Sequence, residues 1–386
     1  MTDDRLRPGD AVTIALEALE GLVAGLRRRG RTVLGPVVRD GAVVLGELAS
    51  AADLARGVVD AQEPGLYCLQ PARDGHAFAY SHGPDSFKRA LHAPELTLFR
   101  ARRDERSFSL SDPPAPPSLA AFGIRACDLA ALRVQDRVFL GGPFTDPAYA
   151  ARRQDLFLVA LACTRSGGTC FCASVGTGPH PEGPFDVRLT ELDGDGATRL
   201  LAEAGTPRGA ELLAEVPHDA ATGADRAAAE NALARAAASQ RRSLPPDGLA
   251  EQLRANYEHP HWDDVARRCL ACGNCTQVCP TCFCTTVEDA TDLAGREAVR
   301  TRRWDSCFAP DFSYIHGGSV RPSIRARYRQ WLMHKLATWT EQFGVSGCVG
   351  CGRCITWCPA RIDLTEEVRA LRGAGHPEET RRDRDA

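Results

Sequence analysis

The feature that most constrains this chain is a run of four cysteines that occurs twice. Each run has the spacing C-x2-C-x2-C-x3-C and is followed directly by proline, Pro280 in the first copy and Pro359 in the second. The chain has 16 cysteines in 386 residues, and its N-terminus, MTDDRLRPGD, lacks the features of a secretory signal. We therefore expect a cytoplasmic protein, in which thiols stay reduced and structural disulfides are rare. Cysteines in this pattern then indicate metal binding.

The spacing within the runs indicates iron–sulfur clusters. It is the ligand pattern of bacterial two-cluster ferredoxins, in which three thiolates of a run bind one [4Fe–4S] cluster and the fourth binds the cluster of the other run. Small residues such as Gly273, Gly350 and Gly352 let the backbone approach the sulfurs and direct N–H groups at them. The predicted ligands are Cys269, Cys272, Cys275 and Cys358 for cluster one, and Cys348, Cys351, Cys354 and Cys279 for cluster two.

Structural zinc is the alternative, because C-x2-C pairs also bind zinc. Zinc sites usually combine two separated pairs, whereas this chain has an unbroken run of four, closed by proline and duplicated. The pattern therefore favours iron–sulfur clusters, which imply a redox function because zinc has no accessible second oxidation state. A structural iron–sulfur module without a redox function is an alternative of a different class.

Four more cysteines lie upstream in a context that suits a site. The segment DLFLVALAC predicts a buried strand that leads into the glycine-containing loop TRSGGTCFC, and LAALRVQDRVF predicts a helix that starts just after Cys127. A strand end and a helix start can bring these thiols together, so a third [4Fe–4S] cluster is one hypothesis and inert thiols are the other. The four candidates are Cys127, Cys163, Cys170 and Cys172.

The remaining cysteines are interpreted as structural thiols. Only three ligands are visible in the group Cys282, Cys284 and Cys307, although Asp305 is a candidate for a fourth. Cys68 stands alone and is expected in the core, as free cysteines usually are.

The rest of the sequence predicts an α+β protein in which an N-terminal α/β region precedes a mostly helical ferredoxin-like module. An amphipathic helix is expected around Val12 to Arg28, followed by two strands around the turn Arg39-Asp40-Gly41. The long insert between the cysteine runs predicts a helix from Ile324 to Trp339. The expected regions are an N-terminal α/β region (1–112), an α/β domain with the upstream cysteines (119–205), a helical connector (206–255), a two-cluster ferredoxin-like domain (256–370) and a disordered tail (371–386).

Several function classes are disfavoured by the sequence. No stretch approaches the about 18 apolar residues that a membrane span requires. A net charge of −3 argues against electrostatic binding of nucleic acid. Neither a G-x-G-x-x-G dinucleotide motif nor a phosphate loop is present. We therefore assign no catalytic residue and expect substrate chemistry on another polypeptide, with this chain as an electron carrier.

Several motifs together resemble one family. EHPHWDDVARRCLACGNCTQVCPTCFC, RRWDSC, CVGCGRCITWCPA, RACDLAALRVQDRVF and the C-x6-C-F-C pattern that starts at Cys163 are similar to the beta subunit of soluble sulfhydrogenase-type nickel–iron hydrogenases. The electron-transfer subunit of anaerobic sulfite reductase shares the pattern. The resemblance covers residues 119 to 365 and continues weakly through the N-terminal hairpin. The upstream cysteines also fall where the family has cysteine.

The resemblance implies a place in a hetero-oligomeric complex. In that family the beta subunit passes electrons between the small and large subunits of a [NiFe] hydrogenase and a flavin-containing NAD(P)H reductase subunit. The sulfite reductase version instead delivers electrons to a sirohaem enzyme. The sequence leaves open which complex applies, the direction of electron flow and the choice between NADH and NADPH.

Overall fold

A computed structural model describes residues 5–72, 76–105, 107–192, 198–245 and 247–373. The strands are β1 (Ala11–Ala15), β2 (Thr32–Arg39), β3 (Ala42–Glu47), β4 (Val58–Glu63), β5 (Leu66–Pro71), β6 (Glu95–Arg103), β7 (Phe108–Ser111), β8 (Leu119–Ile124), β9 (Phe157–Leu161), β10 (Val187–Leu192), β11 (Arg199–Ala204), β12 (Asp219–Ala220), β13 (Thr285–Thr291), β14 (Glu297–Trp304), β15 (Tyr314–Ile315) and β16 (Gly318–Ser319). The α-helices are α1 (Ala18–Arg28), α2 (Lys88–Leu91), α3 (Ala126–Phe139), α4 (Pro147–Arg153), α5 (Pro207–Ala214), α6 (Gly223–Ala238), α7 (Leu249–Ala255), α8 (His261–Arg268), α9 (Asn274–Gln277), α10 (Ile324–Met333), α11 (Trp339–Phe343), α12 (Arg353–Thr356) and α13 (Leu364–Gly373).

The main sheet has eight strands in the order β12-β1-β11-β10-β9-β8-β2-β3. Its centre is parallel, because β8 pairs in parallel with both β2 and β9, and β9 pairs in parallel with β10. The central strands β8 and β9 are buried along their whole length, as expected for apolar runs such as LAAFGI and FLVAL that have neighbours on both faces. The predicted strand in DLFLVALAC is β9, and the helix predicted after Cys127 is α3.

The N-terminal part differs from the sequence expectation at one point. The segment expected to be one helix from Val12 to Arg28 is a strand, β1, followed by the helix α1. Strand β1 pairs with both β11 and β12, and its residues Val12 and Ile14 are buried. The expected hairpin is confirmed: β2 and β3 are joined at Asp40 and Gly41, whose φ angles of 49° and 73° suit the tight turn that matches strand twist.

Both sheets join segments that are far apart in sequence. The main sheet combines β1 to β3 with β8 to β12, so the expected division near residues 112–119 does not separate two sheets. A second sheet, in the order β13-β14-β6-β7, pairs a hairpin of the long insert with strands of the N-terminal region. The ferredoxin-like part is therefore less helical than expected, because its insert contributes strands to a sheet.

The cysteine runs lie in a helical C-terminal layer with its own core. Aromatic side chains from α8, α10 and the loop after β14 pack there, among them Trp262, Tyr328, Trp331 and Phe308. The helix predicted from Ile324 to Trp339 is present as α10, which continues through a π-helical turn at His334–Thr338 into α11. Within the described ranges, no helix has the length and apolar character needed to cross a membrane. Of the expected tail, 371–373 form the end of α13, and the rest lies outside the described residues.

Candidate metal centre

The first cysteine run forms a tight loop between α8 and α9. Cys269 follows the last residue of α8, and the backbone then adopts positive φ angles at Ala271 (50°) and Gly273 (74°). This curvature directs the Ala271 N–H at the sulfur of Cys269, 3.4 Å away. Such N–H groups stabilise negative charge on sulfur, as ligands of an iron–sulfur cluster require.

A cavity of about 470 Å³, including its part open to solvent, lies inside this loop. Phe308, Tyr328 and Trp331 form an aromatic wall of the cavity. At the other end of the module, the Ile362 N–H donates to the Cys358 sulfur at 3.4 Å. The cysteines that line the cavity are Cys269, Cys272, Cys275, Cys354 and Cys358. All four predicted ligands of cluster one therefore face one space.

The second run has the same curvature in more crowded surroundings. Gly350 and Gly352 have φ angles of 61° and 77°, and the Gly350 N–H lies 3.5 Å from the Cys348 sulfur. A Cβ on Gly350 would lie 2.6 Å from the Cα of Cys172, and one on Gly352 would lie 2.3 Å from the carbonyl oxygen of Thr169. Glycine is therefore required at both positions by the close approach of another backbone as well as by φ.

Electrostatic contacts divide the thiols into two sets. Burial raises the pKa of Cys275 well above its usual value, and the next contributions come from Cys269, Cys358 and Cys272. Burial likewise raises the pKa of Cys354, with the next contributions from Cys348, Cys351 and Cys279. The strongest neighbours of each thiol are its predicted co-ligands, and weaker contributions from Cys279 to Cys275 and from Cys275 to Cys354 show that the two sets adjoin. Thiols held together in this way resist ionisation without a metal, whereas binding to iron removes the proton and compensates the charge.

A buried lysine contacts the second set. The Lys335 ammonium group donates to the Cys279 sulfur at 3.2 Å, to Thr281 Oγ1 at 3.2 Å and to the Gly347 carbonyl oxygen at 3.1 Å. Burial opposes its charge, but the sulfurs around it, led by Cys279, hold its pKa well above the ordinary value. Lys335 therefore places a fixed positive charge at one predicted ligand of cluster two.

The four upstream cysteines are also close to one another. Cys127 lies in the first turn of α3, Cys163 follows β9, and Cys170 and Cys172 lie in the loop that packs on the second run. Burial raises the pKa of Cys170, and the next contributions come from Cys172 and Cys163. Burial and Asp128 raise the pKa of Cys127, with further contributions from Cys351 and Cys172. Their group therefore adjoins Cys351, a predicted cluster-two ligand.

Buried polar contacts fix the second run to the main sheet. Arg353 makes two hydrogen bonds to the Asp128 carboxylate, at 2.8 and 2.9 Å, and both side chains are almost fully buried. The His82 ring nitrogen Nε2 lies 2.6 Å from the Cys351 carbonyl oxygen, and the Phe171 N–H donates to the Gly350 carbonyl at 2.8 Å. Because Asp128 is next to Cys127, the ion pair joins the upstream cysteines to the second run.

Sequence reasoning missed the positions of the two lysines. Lys88 and Lys335 are the only lysines among the 47 Lys and Arg residues of the sequence. Both are buried, and both approach the segment from Thr276 to Cys284. Their rarity was the signal that could have marked them.

The structure also places the cysteines that were interpreted as structural thiols. Cys282 is buried, whereas Cys284 and Cys307 are half-buried and line a cavity with Lys335. The carboxylate of Asp305, the candidate fourth ligand, accepts a hydrogen bond from the Ser306 N–H at 2.6 Å. Cys68, expected in the core, is half-buried in β5.

Comparison with known proteins assigns this site to a class. Residues 268–362 match the family model of the 4Fe–4S dicluster domain, so the chain is an iron–sulfur protein with two [4Fe–4S] clusters. It is also 34% identical over 288 residues to sulfhydrogenase 2 subunit beta of Pyrococcus furiosus, an alignment that covers 73% of this chain and 82% of that protein. The chain belongs to the family of sulfhydrogenase beta subunits, which confirms the resemblance seen in its motifs. It is thus an iron–sulfur electron-transfer subunit. No solved structure gives a significant match.

Proposed function

We propose that this chain is a cytoplasmic relay that passes electrons between the small and large subunits of a [NiFe] hydrogenase and a flavin-containing NAD(P)H reductase subunit. The observation that carries the proposal is the arrangement of the thiols in two adjacent sets, one at the surface and one buried. The name of the Pyrococcus furiosus relative favours a hydrogenase complex over a sulfite reductase complex. The chain itself then makes or breaks no substrate bond.

The ligands in this proposal follow the two sets of thiols. A bound [4Fe–4S] cluster supplies one-electron exchange. The chain supplies thiolates, N–H groups directed at three sulfurs, and aromatic walls that limit water. Cluster one is assigned to Cys269, Cys272, Cys275 and Cys358, and cluster two to Cys348, Cys351, Cys354 and Cys279.

A third site extends the relay on the side of the main sheet. Its proposed ligands are the upstream cysteines Cys127, Cys163, Cys170 and Cys172. The proximity of this group to Cys351, whose carbonyl oxygen lies 3.8 Å from the Cys170 sulfur, supports a third site next to the second set. Gln240 and Arg125 direct N–H groups at Cys172 and Cys163, at 3.2 and 3.9 Å, and so favour negative charge on those sulfurs.

The metal content of the anaerobically purified chain tests this assignment. About eight irons per chain correspond to two clusters and about twelve to three. Cys275→Ala is expected to remove about four irons and the EPR signal of cluster one, since Cys275 is buried among its co-ligands. Cys68→Ala, a change at a thiol that belongs to neither run, is the matched control and should keep the full iron content. Native iron and native EPR in Cys275→Ala would refute the ligand assignment.

The relay itself is tested with the proposed partner proteins. Reduction of the clusters by NADH or NADPH should require the flavin subunit, and reoxidation should require the hydrogenase subunits. The isolated chain is expected to show neither hydride transfer nor hydrogen turnover. Turnover by the isolated chain would contradict the proposal.

A further inference from the structure

Two cysteines that are not ligands in the proposed relay, Cys284 and Cys307, lie at the base of the insert hairpin, which is formed by β13 and β14. Cys284 immediately precedes β13, and Cys307 lies three residues beyond the end of β14. The antiparallel pairing of these strands continues past their ends, because the Asp305 N–H donates to the Cys284 carbonyl at 2.9 Å. The hairpin therefore brings Cys284 and Cys307 to the same end of the insert, where both line one cavity.

The two thiols are in direct contact. The Cys307 thiol and the Cys307 backbone N–H both hydrogen-bond the Cys284 sulfur. These hydrogen bonds, of which the one from the thiol contributes most, lower the pKa of Cys284 to about 7, although burial acts to raise it. The same thiol contact raises the pKa of Cys307. One sulfur is thus a thiolate near neutral pH while its neighbour keeps a proton, which is the state from which thiol–disulfide exchange proceeds.

The two lysines of the chain both favour negative charge here. Lys88 donates to the carbonyl groups of Gln277 and Cys282 at 3.1 and 3.3 Å, and its ammonium group lies 3.9 Å from the centre of the Trp304 ring. Lys335 lines the same cavity as Cys284 and Cys307. Two buried cations beside the thiol pair stabilise a thiolate that burial alone would disfavour.

The pair lies near residues of both cluster sites. Cys307 is close enough to Cys275, a proposed cluster-one ligand, for their charges to interact. On the other side, Lys335 contacts both the pair's cavity and Cys279, a proposed cluster-two ligand. Trp331 lines both this cavity and that of cluster one. The pair therefore adjoins two sites that each exchange one electron.

The cavity also makes the pair accessible from outside. It measures about 850 Å³, including its part open to solvent, and is lined by aromatic and cationic side chains, by the two thiols and by the more deeply buried Cys282. Cys284 and Cys307 are both half-buried, unlike the fully buried Cys282. Small thiol or disulfide molecules can therefore reach the sulfurs.

We propose that Cys284 and Cys307 form a redox-active dithiol that converts reversibly into a disulfide, a two-electron couple beside two one-electron sites. From the state with one thiolate and one thiol, oxidation breaks the remaining S–H bond, forms one S–S bond and releases one proton and two electrons. The electron acceptors are two oxidised iron–sulfur clusters of the same chain, and in this respect the inference rests on the proposed function. A small disulfide that enters the cavity is also an acceptor and leaves as two thiols.

The first experiment tests the couple without reference to electron relay. The full chain, purified anaerobically, is equilibrated in buffers of graded reduced and oxidised glutathione, quenched by alkylation and analysed by peptide mass spectrometry. We expect one transition, with two-electron dependence on the buffer ratio, from two alkylated thiols to a Cys284–Cys307 disulfide. Alkylation of both cysteines at every ratio would overturn the proposal, as would a disulfide between Cys279 and Cys282 instead.

The second experiment counts electrons. Reductive titration of oxidised protein should show uptake of two more electrons per chain in the wild type than in Cys284→Ser or Cys307→Ser, at equal iron content. Cys68→Ser is the matched control and should take up the wild-type number. Equal uptake by all four proteins would refute the couple as an electron store. Low iron content in the wild type would instead refute the proposed relay. The glutathione experiment would still test whether Cys284 and Cys307 form a reversible disulfide.

Discussion

The two cysteine runs share one spacing but lie in opposite surroundings. In the first run Leu270 is 65% exposed and Cys272 is exposed, whereas the corresponding residues of the second run, Val349 and Cys351, are 3% and 7% exposed. The third position shows the same contrast. Ala271 and Gly350 both have positive φ, but the first run accommodates a methyl group there, whereas a Cβ on Gly350 would meet the backbone of Phe171 and Cys172. The two runs thus have the same predicted ligand pattern, and they differ in how far their surroundings expose them to solvent.

The largest expected difference between the runs concerns Arg353, which occupies the position of Asn274 in the first run. Arg353→Met leaves the Asp128 carboxylate buried without its partner. We expect the free energy of unfolding to fall by about 3–5 kcal/mol, as for other broken buried ion pairs. Anaerobic denaturant titration measures the change. Arg89→Met, which removes an exposed ion pair with Asp85, is the control and should be near neutral. A loss no larger than that of the control would show that the buried pair does not hold the second run.

The next largest effect is expected from exchanging the residues at the third position of the two runs, Ala271 and Gly350. Gly350→Ala would place a methyl group 2.6 Å from the Cys172 Cα, where only backbone can move. We expect a loss of about 2–4 kcal/mol and reduced iron at cluster two. The reciprocal change, Ala271→Gly, should cost about 1 kcal/mol or less. Thermal unfolding and iron analysis of both variants check this, and equal effects would mean that the surroundings of the runs do not differ energetically.

Lys335 predicts a difference in reduction potential. Lys335→Met removes a positive charge 3.2 Å from the Cys279 sulfur, which makes the addition of an electron less favourable. We expect the potential of cluster two to fall by on the order of 100 mV, and that of cluster one to change much less. EPR-monitored redox titration measures both. Lys88→Met, which removes a charge held by backbone carbonyl groups, should have a smaller effect, and an equal shift of both clusters would contradict a local action of Lys335.

The smallest effect is expected at the exposed run. Leu270→Gln leaves the thiols in place and changes only an exposed side chain beside cluster one. If this is the face at which a partner protein exchanges electrons, the affinity should weaken about fivefold, or about 1 kcal/mol, with unchanged potentials and stability. Binding measured by calorimetry with each partner protein checks this. Leu293→Gln, at the tip of the insert hairpin, is an exposed control. Equal binding by both variants would exclude the first run as the contact face.

Local patterns were sufficient to predict some of these features. The turn at Asp40 and Gly41 and the buried strand β9 were both predicted, because they depend on residues close in sequence. The spacing of the cysteine runs is likewise a local pattern. Strand β1 was mistaken for the start of a helix because its partners, β11 and β12, lie nearly 200 residues away. A short apolar segment with remote partners has no local signal that separates strand from helix.

The candidate site shows the same limit. The two sets of thiols follow from spacing, but the burial of Lys335 and the contact of Cys284 with Cys307 depend on how the insert folds back. For the insert, the sequence predicted the helix from Ile324 to Trp339, which is present. The strands β13 and β14 were not predicted, because they extend a sheet of the N-terminal region, which side-chain periodicity alone could not indicate.

The pairing of β14 with β6 bears on the order in which the protein is assembled. Glu297 lies opposite Arg102 and Arg303 opposite Glu95, so the pairing of β14 with β6 joins two strands that are far apart in sequence. Contacts of such sequence separation form slowly, because the entropy of loop closure must be overcome first. We therefore expect the hairpin between the cysteine runs to dock late during folding. Iron delivered before that point would meet an open set of thiols, and we expect cluster insertion and the final closure of the molecule to be coupled.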